Sequence, residues 1–414
     1  MPKTREELTQ RRFWNNDMEA IIGIMVVLIV LGTINVFSSS FILSEAEYNS
    51  PYFFLQRHLL NLAVGTVFFI FCAVVIDYHE WRRTMPLILL VTIGALILVL
   101  IIGPPVNGAR RWLPLVVVQV QPAEIAKLVS IMLAASYLSV QVKQGRGIDL
   151  LNLQTGLIGV MFFLTEKEPD MGTACVILGV PLLMAVVCGL RRDKIYLLSA
   201  AVVVGVVGMI FLQPYRLERV KVTWDPWSDA QNVGYQTVQS LSAIGSGEVF
   251  GMGLGVGVSK YDYLPEAHTD FAFAIFCQEN GFIGALFVFL LYAALIIYAA
   301  RVSRRAVDEY GQILAMGILL LISGQAIANL LMVGGAFPVV GVPLPFISYG
   351  GTSLMVSMGA MGILINIGVK GDRARREQEL KELEELEEAE EKEERERLPE
   401  YHPPKFRLLR EEYR

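Results

Sequence analysis

The amino-acid sequence predicts an all-α polytopic membrane protein with ten transmembrane helices, cytoplasmic N- and C-termini, and one large external loop between helices 7 and 8. Of its 414 residues, 54% are hydrophobic and 18% are charged, whereas charged residues make up about 25% of an ordinary soluble domain. Residues 371–414 contain 11 Lys and Arg against 16 Asp and Glu, and thus carry the whole net charge of −5. The sequence has no basic stripe, so nucleic acid is not an expected partner.

Ten apolar runs predict the spans. A hydrocarbon core about 30 Å thick requires about 20 apolar residues in a crossing helix. The predicted spans are 20–41, 57–76, 86–103, 122–141, 149–165, 170–190, 195–213, 271–300, 312–333 and 351–369. The span at 149–165 is the weakest of these predictions, because it is short and contains Asn152 and Gln154.

Basic residues predict the orientation, because Lys and Arg are enriched in short cytoplasmic loops. With the N-terminus inside, the cytoplasmic segments before the tail hold 14 Lys and Arg, and the opposite short loops hold four. The domains follow as a cytoplasmic N-terminus (1–19), a membrane domain (20–370) with an external loop at about 214–270, and a charged cytoplasmic tail (371–414). Glu377/Lys381 and similar i,i+4 pairs predict a solvated helix in the tail. A helix that docks a partner is the alternative.

Charged residues in or beside apolar spans are candidate functional groups, because burying them in a membrane is costly. Glu124 and Lys127 share one helix face. They form either a self-neutralising ion pair or a lysine that Glu124 holds toward an anionic substrate. Arg110 and Arg111 either snorkel to the headgroups or contact an anion. Asp170 is predicted to be the N-cap of the sixth span.

Two carboxylates and an imidazole gather at the end of the long loop, directly before the eighth span. They are Glu266, His268 and Asp270. N-capping is the simplest interpretation of Asp270. The same three groups also suit general acid–base chemistry or a divalent cation.

Other polar features have a structural explanation. Gln325 and Asn329 share a face of the ninth span, where hydrogen bonding between helices would suffice. Glu279 in the eighth span requires a partner that the sequence does not identify. The glycines of 245–257 lack the Gly-Lys-Ser/Thr of a phosphate loop and predict a tight loop or close backbone packing. These residues alone leave a transporter, a lipid-processing enzyme and a membrane scaffold open.

Motifs from the third predicted span to the tenth resemble those of the SEDS family (shape, elongation, division and sporulation). In chain order they are Asn-Gly-Ala-Arg-Arg-Trp-Leu at 107–113, Gln-Pro-Ala-Glu at 121–124 with Lys127, Pro-Asp-Met-Gly-Thr at 169–173, Gly-Tyr-Gln at 234–236 with Gln239-Ser240, Ala-Ile-Gly-Ser-Gly at 243–247, Pro-Glu-Ala-His-Thr-Asp-Phe at 265–271 and Pro-Leu-Pro-Phe-Ile-Ser-Tyr-Gly-Gly at 343–351. The sequence departs from the family pattern at Gln278-Glu279-Asn280 and at Glu248. These departures concern the subtype more than the activity.

The resemblance implies a peptidoglycan glycosyltransferase that polymerises lipid II, the undecaprenyl-diphosphate-linked disaccharide-pentapeptide, at the outer face of the bacterial cytoplasmic membrane. It also implies a class B penicillin-binding protein transpeptidase as partner, and a divalent cation, Mg²⁺ or Mn²⁺. The chain is most similar to the division member, which implies division-complex partners and a location at the septum. The elongation and sporulation paralogues are the alternatives within the family.

The family motif assigns the catalytic residue, and side-chain chemistry suggests the substrate contacts. Asp270 is the expected catalytic carboxylate, acting either as the base or as a ligand of the cation. The expected substrate contacts are Arg111, Lys127 (oriented by Glu124), Trp112, Glu266 and His268. An α-linked donor and a β-1,4 product require one inversion, so a single displacement suffices. A lipid II flippase and a non-catalytic scaffold are the competing functions.

Overall fold

The computed structural model describes residues 16–106, 108–114, 118–211, 214–261 and 264–397. These residues are mainly α-helical. In chain order the helices are α1 (Asn16–Tyr48), α2 (Phe53–Ile70, continued by a π-helical turn, Phe71–Val75), α3 (Tyr78–Arg83), α4 (Met85–Ile102), α5 (Pro122–Lys143), α6 (Leu153–Lys167), α7 (Met171–Val187), α8 (Arg192–Phe211), α9 (Pro214–Trp224), α10 (Tyr235–Ser246), α11 (Ala272–Arg304), α12 (Glu309–Val333) and α13 (Gly351–Arg397). A two-stranded hairpin, β1 (Leu113–Pro114) and β2 (Gln119–Val120), precedes α5, and a 3₁₀ turn, Pro226–Asp229, follows α9.

Seven helices of the described residues are long and apolar enough to cross a membrane. They are Asp17–Tyr48, Phe53–Val75, Met85–Ile102, Pro122–Lys143, Ala272–Arg304, Glu309–Val333 and Gly351–Glu390. They coincide with predicted spans 1–4 and 8–10. The prediction of an all-α polytopic membrane protein is therefore confirmed. Helices α6, α7 and α8 occupy the chain predicted for spans 5–7, and the number ten stays a prediction.

The weakest predicted span begins later than the sequence suggested. Helix α6 starts at Leu153 because Asn152 is its N-cap: the Asn152 side chain accepts a hydrogen bond from the backbone N–H of Thr155 at 2.9 Å. Such a cap satisfies a donor that the first helical turn leaves unpaired. Asn152, one of the two polar residues that weakened the span prediction, is therefore the start signal of the helix.

The membrane unit, Trp14–Gly371, is built around two groups of packed helices. Helix α5 packs against α7 and α12, and α11 packs against α1 and α12. Helix α11 is interrupted at Gly281, whose backbone has φ 65° and ψ −166°. A residue with a side chain would be strained in this conformation, so the glycine allows the break.

The described residues after the membrane unit, 372–397, form a helix that reaches Arg397 as part of α13. The prediction of a helical tail is confirmed over these residues. The rest of the predicted tail, residues 398–414, lies outside the described residues.

Candidate functional site

The corner between α6 and α7 provides the first side of the candidate site. Asp170 is the N-cap of α7, as predicted: its Oδ1 accepts a hydrogen bond from the backbone N–H of Thr173 at 3.1 Å. Its Oδ2 accepts a second hydrogen bond from Nε2 of Gln121 at 2.8 Å. The backbone N–H of Gln121 donates to Oγ1 of Thr352 at 2.9 Å. The Asp170 carboxylate therefore joins the start of α7 to Gln121 at the start of α5, and Gln121 in turn contacts the first turn of α13.

Asp270 does not cap α11, so that interpretation was wrong. The helix begins at Ala272, and its N-cap is Phe271, which makes no side-chain capping hydrogen bond. The backbone of Asp270 is held instead by Asn329, whose Nδ2 donates to the Asp270 carbonyl at 2.8 Å and to the Val342 carbonyl at 2.7 Å. Asn329 thus ties two loops together rather than two helices. The Asp270 carboxyl is left available for chemistry.

The connection between α12 and α13 forms a wall beside Asp270. Gly341 has φ 70°, and a Cβ on it would lie 3.4 Å from Oδ2 of Asp270. Gly172 at the start of α7 lies against the same connection, because a Cβ there would meet the Val340 carbonyl oxygen at 2.1 Å. Nη1 of Arg219 donates to the Val339 carbonyl at 2.7 Å. Residues 339–342 therefore lie between α7 and Asp270, and α9 contributes a guanidinium.

The surroundings of Asp270 favour its protonated form. Burial raises the pKa of Asp270 to about 7; the carboxylates of Glu266 and Asp170 also raise it, while Arg111 and Arg219 oppose the shift. The residue is half-buried. It is enclosed enough to lose solvation and open enough to meet a substrate. A carboxyl with a pKa near 7 can accept a proton at neutral pH.

Arg111 reaches the site from the stretch between α4 and β1. Its Nε donates to the Glu168 carbonyl at 3.0 Å, and its Nη2 donates to the Pro169 carbonyl. Among the described residues Arg111 forms no ion pair, so carbonyl dipoles orient its charge without neutralising it. Arg110 is exposed and donates to the Ile101 carbonyl at 2.8 Å, at the end of its own preceding helix. The two arginines therefore have different positions, and Arg111 is the one at the site.

Glu168 is a component that the sequence did not single out. Its carboxyl is fully buried and has no hydrogen-bond partner among the described residues. Burial raises the pKa of Glu168 to about 8, Asp170 adds to the shift, and Arg111 opposes it. A protonated Glu168 would leave Arg111 without a carboxylate competitor. In the sequence, this residue belongs to a short acidic turn and resembles an ordinary surface group.

Lys127 and Glu124 lie deeper in α5. Nζ of Lys127 is 2.8 Å from Oε1 of Glu124, and both side chains are buried. This geometry favours the self-neutralising ion pair over a lysine presented to a substrate. Trp112, next to Arg111, is half-buried, so its predicted contact with a sugar or a polyprenyl chain stays a prediction.

His268 and Glu266 have opposite environments. The His268 ring is buried against Phe54 and Tyr349, with ring centroids 4.7 and 5.6 Å away. Burial lowers the pKa of His268, with Glu266 opposing, so the imidazole is neutral. Glu266 is exposed and accepts a hydrogen bond from Oγ1 of Thr269 at 2.6 Å. Glu266 is therefore the more accessible of the two predicted contacts.

The fold and the site together define a class: a polytopic helical membrane protein with a cluster of carboxylates and guanidiniums where the α6–α7 corner, the start of α11 and the α12–α13 connection meet. The family model for the FtsW, RodA and SpoVE proteins, described as "Cell cycle protein", matches residues 18–372. The chain belongs to this FtsW/RodA/SpoVE family. The family expected from the sequence motifs is confirmed.

Relatives cover nearly the whole membrane unit. Stage V sporulation protein E of Bacillus subtilis is 35% identical over 355 residues, which are 84% of this chain and 95% of that protein. A protein of Trichlorobacter lovleyi named probable peptidoglycan glycosyltransferase FtsW is 37% identical over 370 residues, which are 87% of this chain and 96% of that protein.

Solved structures share the fold. A chain from a peptidoglycan synthase complex has a TM-score of 0.68 at 24% identity, covering 84% of this chain and 96% of its own. The rod shape determining protein RodA of Thermus thermophilus has a TM-score of 0.61 at 23% identity, covering 84% of this chain and 95% of its own.

Proposed function

We propose that this chain is an inverting peptidoglycan glycosyltransferase that polymerises lipid II at the outer face of the bacterial cytoplasmic membrane. The observation that carries the proposal is the Asp270 carboxyl, half-buried in a charged cluster and with its pKa raised to about 7. Relatives that match over most of their length are named as probable peptidoglycan glycosyltransferases, which supports the same activity.

Asp270 acts on the acceptor sugar. The acceptor's 4-hydroxyl attacks the anomeric carbon of the donor, the bond to the diphosphate breaks, and the configuration inverts in this one displacement. The hydroxyl proton passes to the Asp270 carboxylate as the new bond forms. Asn329 fixes the backbone on which that carboxylate stands. Burial, together with the carboxylates of Glu266 and Asp170, raises the pKa of Asp270 and makes it a stronger base than an isolated aspartate.

Arg111 acts on the leaving diphosphate. A guanidinium grips phosphate oxygens in a bidentate manner, and no ion pair among the described residues competes for that of Arg111. Trp112 contacts a sugar or the polyprenyl chain, and Glu266 contacts the bound substrate at the open side of the site. Three of the predicted contacts have structural roles because their side chains are buried: Lys127, Glu124 and His268.

A divalent cation fits this site only as an ion shared with the substrate. Among the described residues, no group of three or more His, Cys, Asp or Glu side chains is arranged to hold a metal ion. Mg²⁺ is usually bound by one or two carboxylates together with substrate phosphates. Asp270 is the carboxylate that would take part, and the cation would neutralise charge on the diphosphate.

The proposed number of membrane spans, the location of the termini and the protein partners are those that the sequence predicts. The chain crosses the membrane ten times, with both termini in the cytoplasm, because α6, α7 and α8 fall on the predicted spans 5–7. It acts with a class B penicillin-binding protein transpeptidase and with division-complex proteins at the septum.

The decisive experiment is polymerisation of labelled lipid II by the purified chain, with Mg²⁺ or Mn²⁺ and a cognate transpeptidase that lacks its nucleophile. We expect glycan ladders from the wild type and a loss of at least about 100-fold in Asp270→Asn, the lower range for a positioned base. Asp225→Asn, an exposed aspartate of the predicted external loop, is the matched control and should retain full activity.

Either of two results would contradict the proposal. Full activity in Asp270→Asn would remove the assigned base. Folded protein that binds lipid II but makes no ladders would favour the flippase, and lipid II movement across vesicles would then be measured.

A further inference from the structure

In residues 248–261, named here the glycine loop, large apolar side chains are exposed and two polar side chains are buried. This is the reverse of the arrangement expected for a loop in water. Six large apolar side chains point outward, with Phe250 exposed by 81% and Leu254 by 62%. The other four are Val249, Met252, Val256 and Val258. The polar Ser259 and Lys260 are buried. A loop in water buries apolar groups and solvates a lysine, so the arrangement indicates an apolar solvent.

The backbone of the glycine loop is paired with the break in α11. The N–H groups of Met252 and Gly253 donate to the carbonyls of Gln278 and Glu279 at 2.9 and 3.1 Å. The N–H of Phe282 in turn donates to the Glu248 carbonyl at 2.9 Å. The loop thus satisfies backbone groups that the interruption of α11 would leave unpaired, which is the condition for irregular backbone in or beside a membrane.

The inner side of the glycine loop is a buried polar network. Nζ of Lys260 is 2.9 Å from Oε1 of Glu279 and 3.1 Å from Oγ of Ser38 in α1. Nε2 of Gln278 donates to Oγ of Ser259 at 3.0 Å. Glu279 therefore has the partner that the sequence did not reveal. The network holds the loop against the helices with its apolar side chains directed away from them.

The depth of the glycine loop follows from the length of α11. Its continuous part after the break at Gly281, residues 282–304, is about 35 Å long at a 1.5 Å rise per residue, which suffices for a bilayer core that needs about 20 residues. In the proposed orientation, Arg301 and Arg304 mark its cytoplasmic end. About 20 residues before Arg301 lies Phe282, which is exposed, as are the apolar Leu286 and Leu290 below it. The loop pairs with α11 at the outer edge of that lipid-facing surface.

We propose that residues 249–258 insert their apolar side chains into the acyl-chain boundary of the outer leaflet, with the exposed Glu248 at the water-facing end of the segment. The segment then contacts lipid, although it lies within the predicted external loop of 214–270. The partner is the lipid hydrocarbon itself, because the apolar surface continues that of α11 and the polar Ser259 and Lys260 are turned inward.

The test measures the surroundings of single nitroxide labels on the full chain in phosphatidylcholine–phosphatidylglycerol vesicles. Phe250→Cys and Leu254→Cys carry the label, in a background with Cys175→Ala and Cys188→Ala. Leu290→Cys is the lipid reference, and Gln231→Cys, which is exposed in the same predicted loop, is the water reference. The observable is the ratio of collision rates with oxygen, which partitions into lipid, and with a water-soluble nickel chelate.

We expect Phe250→Cys and Leu254→Cys to give a ratio at least about five times that of Gln231→Cys and close to that of Leu290→Cys. Val256→Cys is a second probe if a label disturbs the fold, which size-exclusion chromatography would reveal. A ratio equal to that of Gln231→Cys would overturn the proposal. Labels that meet nickel in the chain alone but are shielded by the transpeptidase would also overturn it, and would assign the surface to a protein partner. Glycosyltransferase activity does not enter this measurement.

Discussion

Two buried lysine–glutamate pairs lie in different regions of the molecule. Glu124 and Lys127 are one turn apart on α5, with Nζ 2.8 Å from Oε1. Lys260 and Glu279 join the glycine loop to α11, with Nζ 2.9 Å from Oε1. All four side chains expose 5% of their surface or less. The same chemistry at the same distance thus occurs once within a helix and once between a loop and a helix.

The two pairs differ in the groups that stabilise the buried negative charge of each glutamate. Glu124 lies in the first turn of α5, where the helix dipole stabilises a negative charge. Glu279 lies within a broken helix, and its Oε2 has no partner among the described residues. Lys260 and Ser38 both bind its Oε1. The first pair therefore has a second source of stabilisation, whereas the second depends on the lysine and holds the glycine loop in place.

The largest effect on stability is expected from Lys260→Met. It leaves Glu279 buried without its cation, and breaking a buried pair in this way costs about 3–5 kcal/mol. The free energy of unfolding, measured by denaturant titration in detergent micelles, should fall by that amount. The double variant Lys260→Met/Glu279→Met is the control, because an apolar pair removes the uncompensated charge, and it should recover most of the loss. Wild-type stability in Lys260→Met would contradict this account.

A smaller loss is expected from Lys127→Met. The helix dipole continues to stabilise Glu124, so the loss should be less than that of Lys260→Met by about 1–2 kcal/mol. The same titration measures it.

The double variant Glu124→Leu/Lys127→Met separates the two interpretations of the α5 pair. If the pair is structural, the double variant should regain both stability and lipid II polymerisation. Regained stability without polymerisation would instead make Lys127 a substrate contact.

The two pairs also show how far the sequence could predict the site. The α5 pair was visible because helical periodicity places residues three apart on one face. The Asp170 cap was also predictable from local sequence, because an aspartate directly before an apolar helix is a preferred N-cap. Lys260 and Glu279 are 19 residues apart, and only the folding of the glycine loop onto Gly281 brings them together. The role of Asn329 was missed likewise, because its partners are carbonyls of two distant loops.

The apolar runs predicted most of the spanning helices, but helix ends were less predictable. The interpretation of Asp270 as a cap failed by one residue, since α11 begins at Ala272 and its N-cap is Phe271. That difference decides whether the carboxyl is used by the helix or is free for catalysis. Arg219 has no distinguishing sequence signal, and its place beside the site depends on how α9 meets the α12–α13 connection.

The smallest predicted effect is a shift in the pH dependence of the polymerisation rate. It tests whether either buried pair is coupled electrostatically to Asp270. The base must be ionised, and with a pKa of about 7 for Asp270 the polymerisation rate should rise as the pH increases through 7 and level off above about 8. At pH 6 about a tenth of the carboxyl is ionised, so the rate should be about tenfold below its plateau. Glu266→Gln removes a negative neighbour and should move the midpoint to lower pH.

Lys260→Met and Lys127→Met should lower the plateau without moving the midpoint, because Glu266, Asp170, Arg111 and Arg219 are the charged groups that shift the Asp270 pKa. Rates of lipid II polymerisation from pH 5.5 to 9, at saturating substrate, give both quantities. A midpoint displaced by Lys127→Met as far as by Glu266→Gln would show that the α5 pair acts on the catalytic carboxyl. The contrast between the two pairs would then be one of electrostatic coupling to the site as well as of stability.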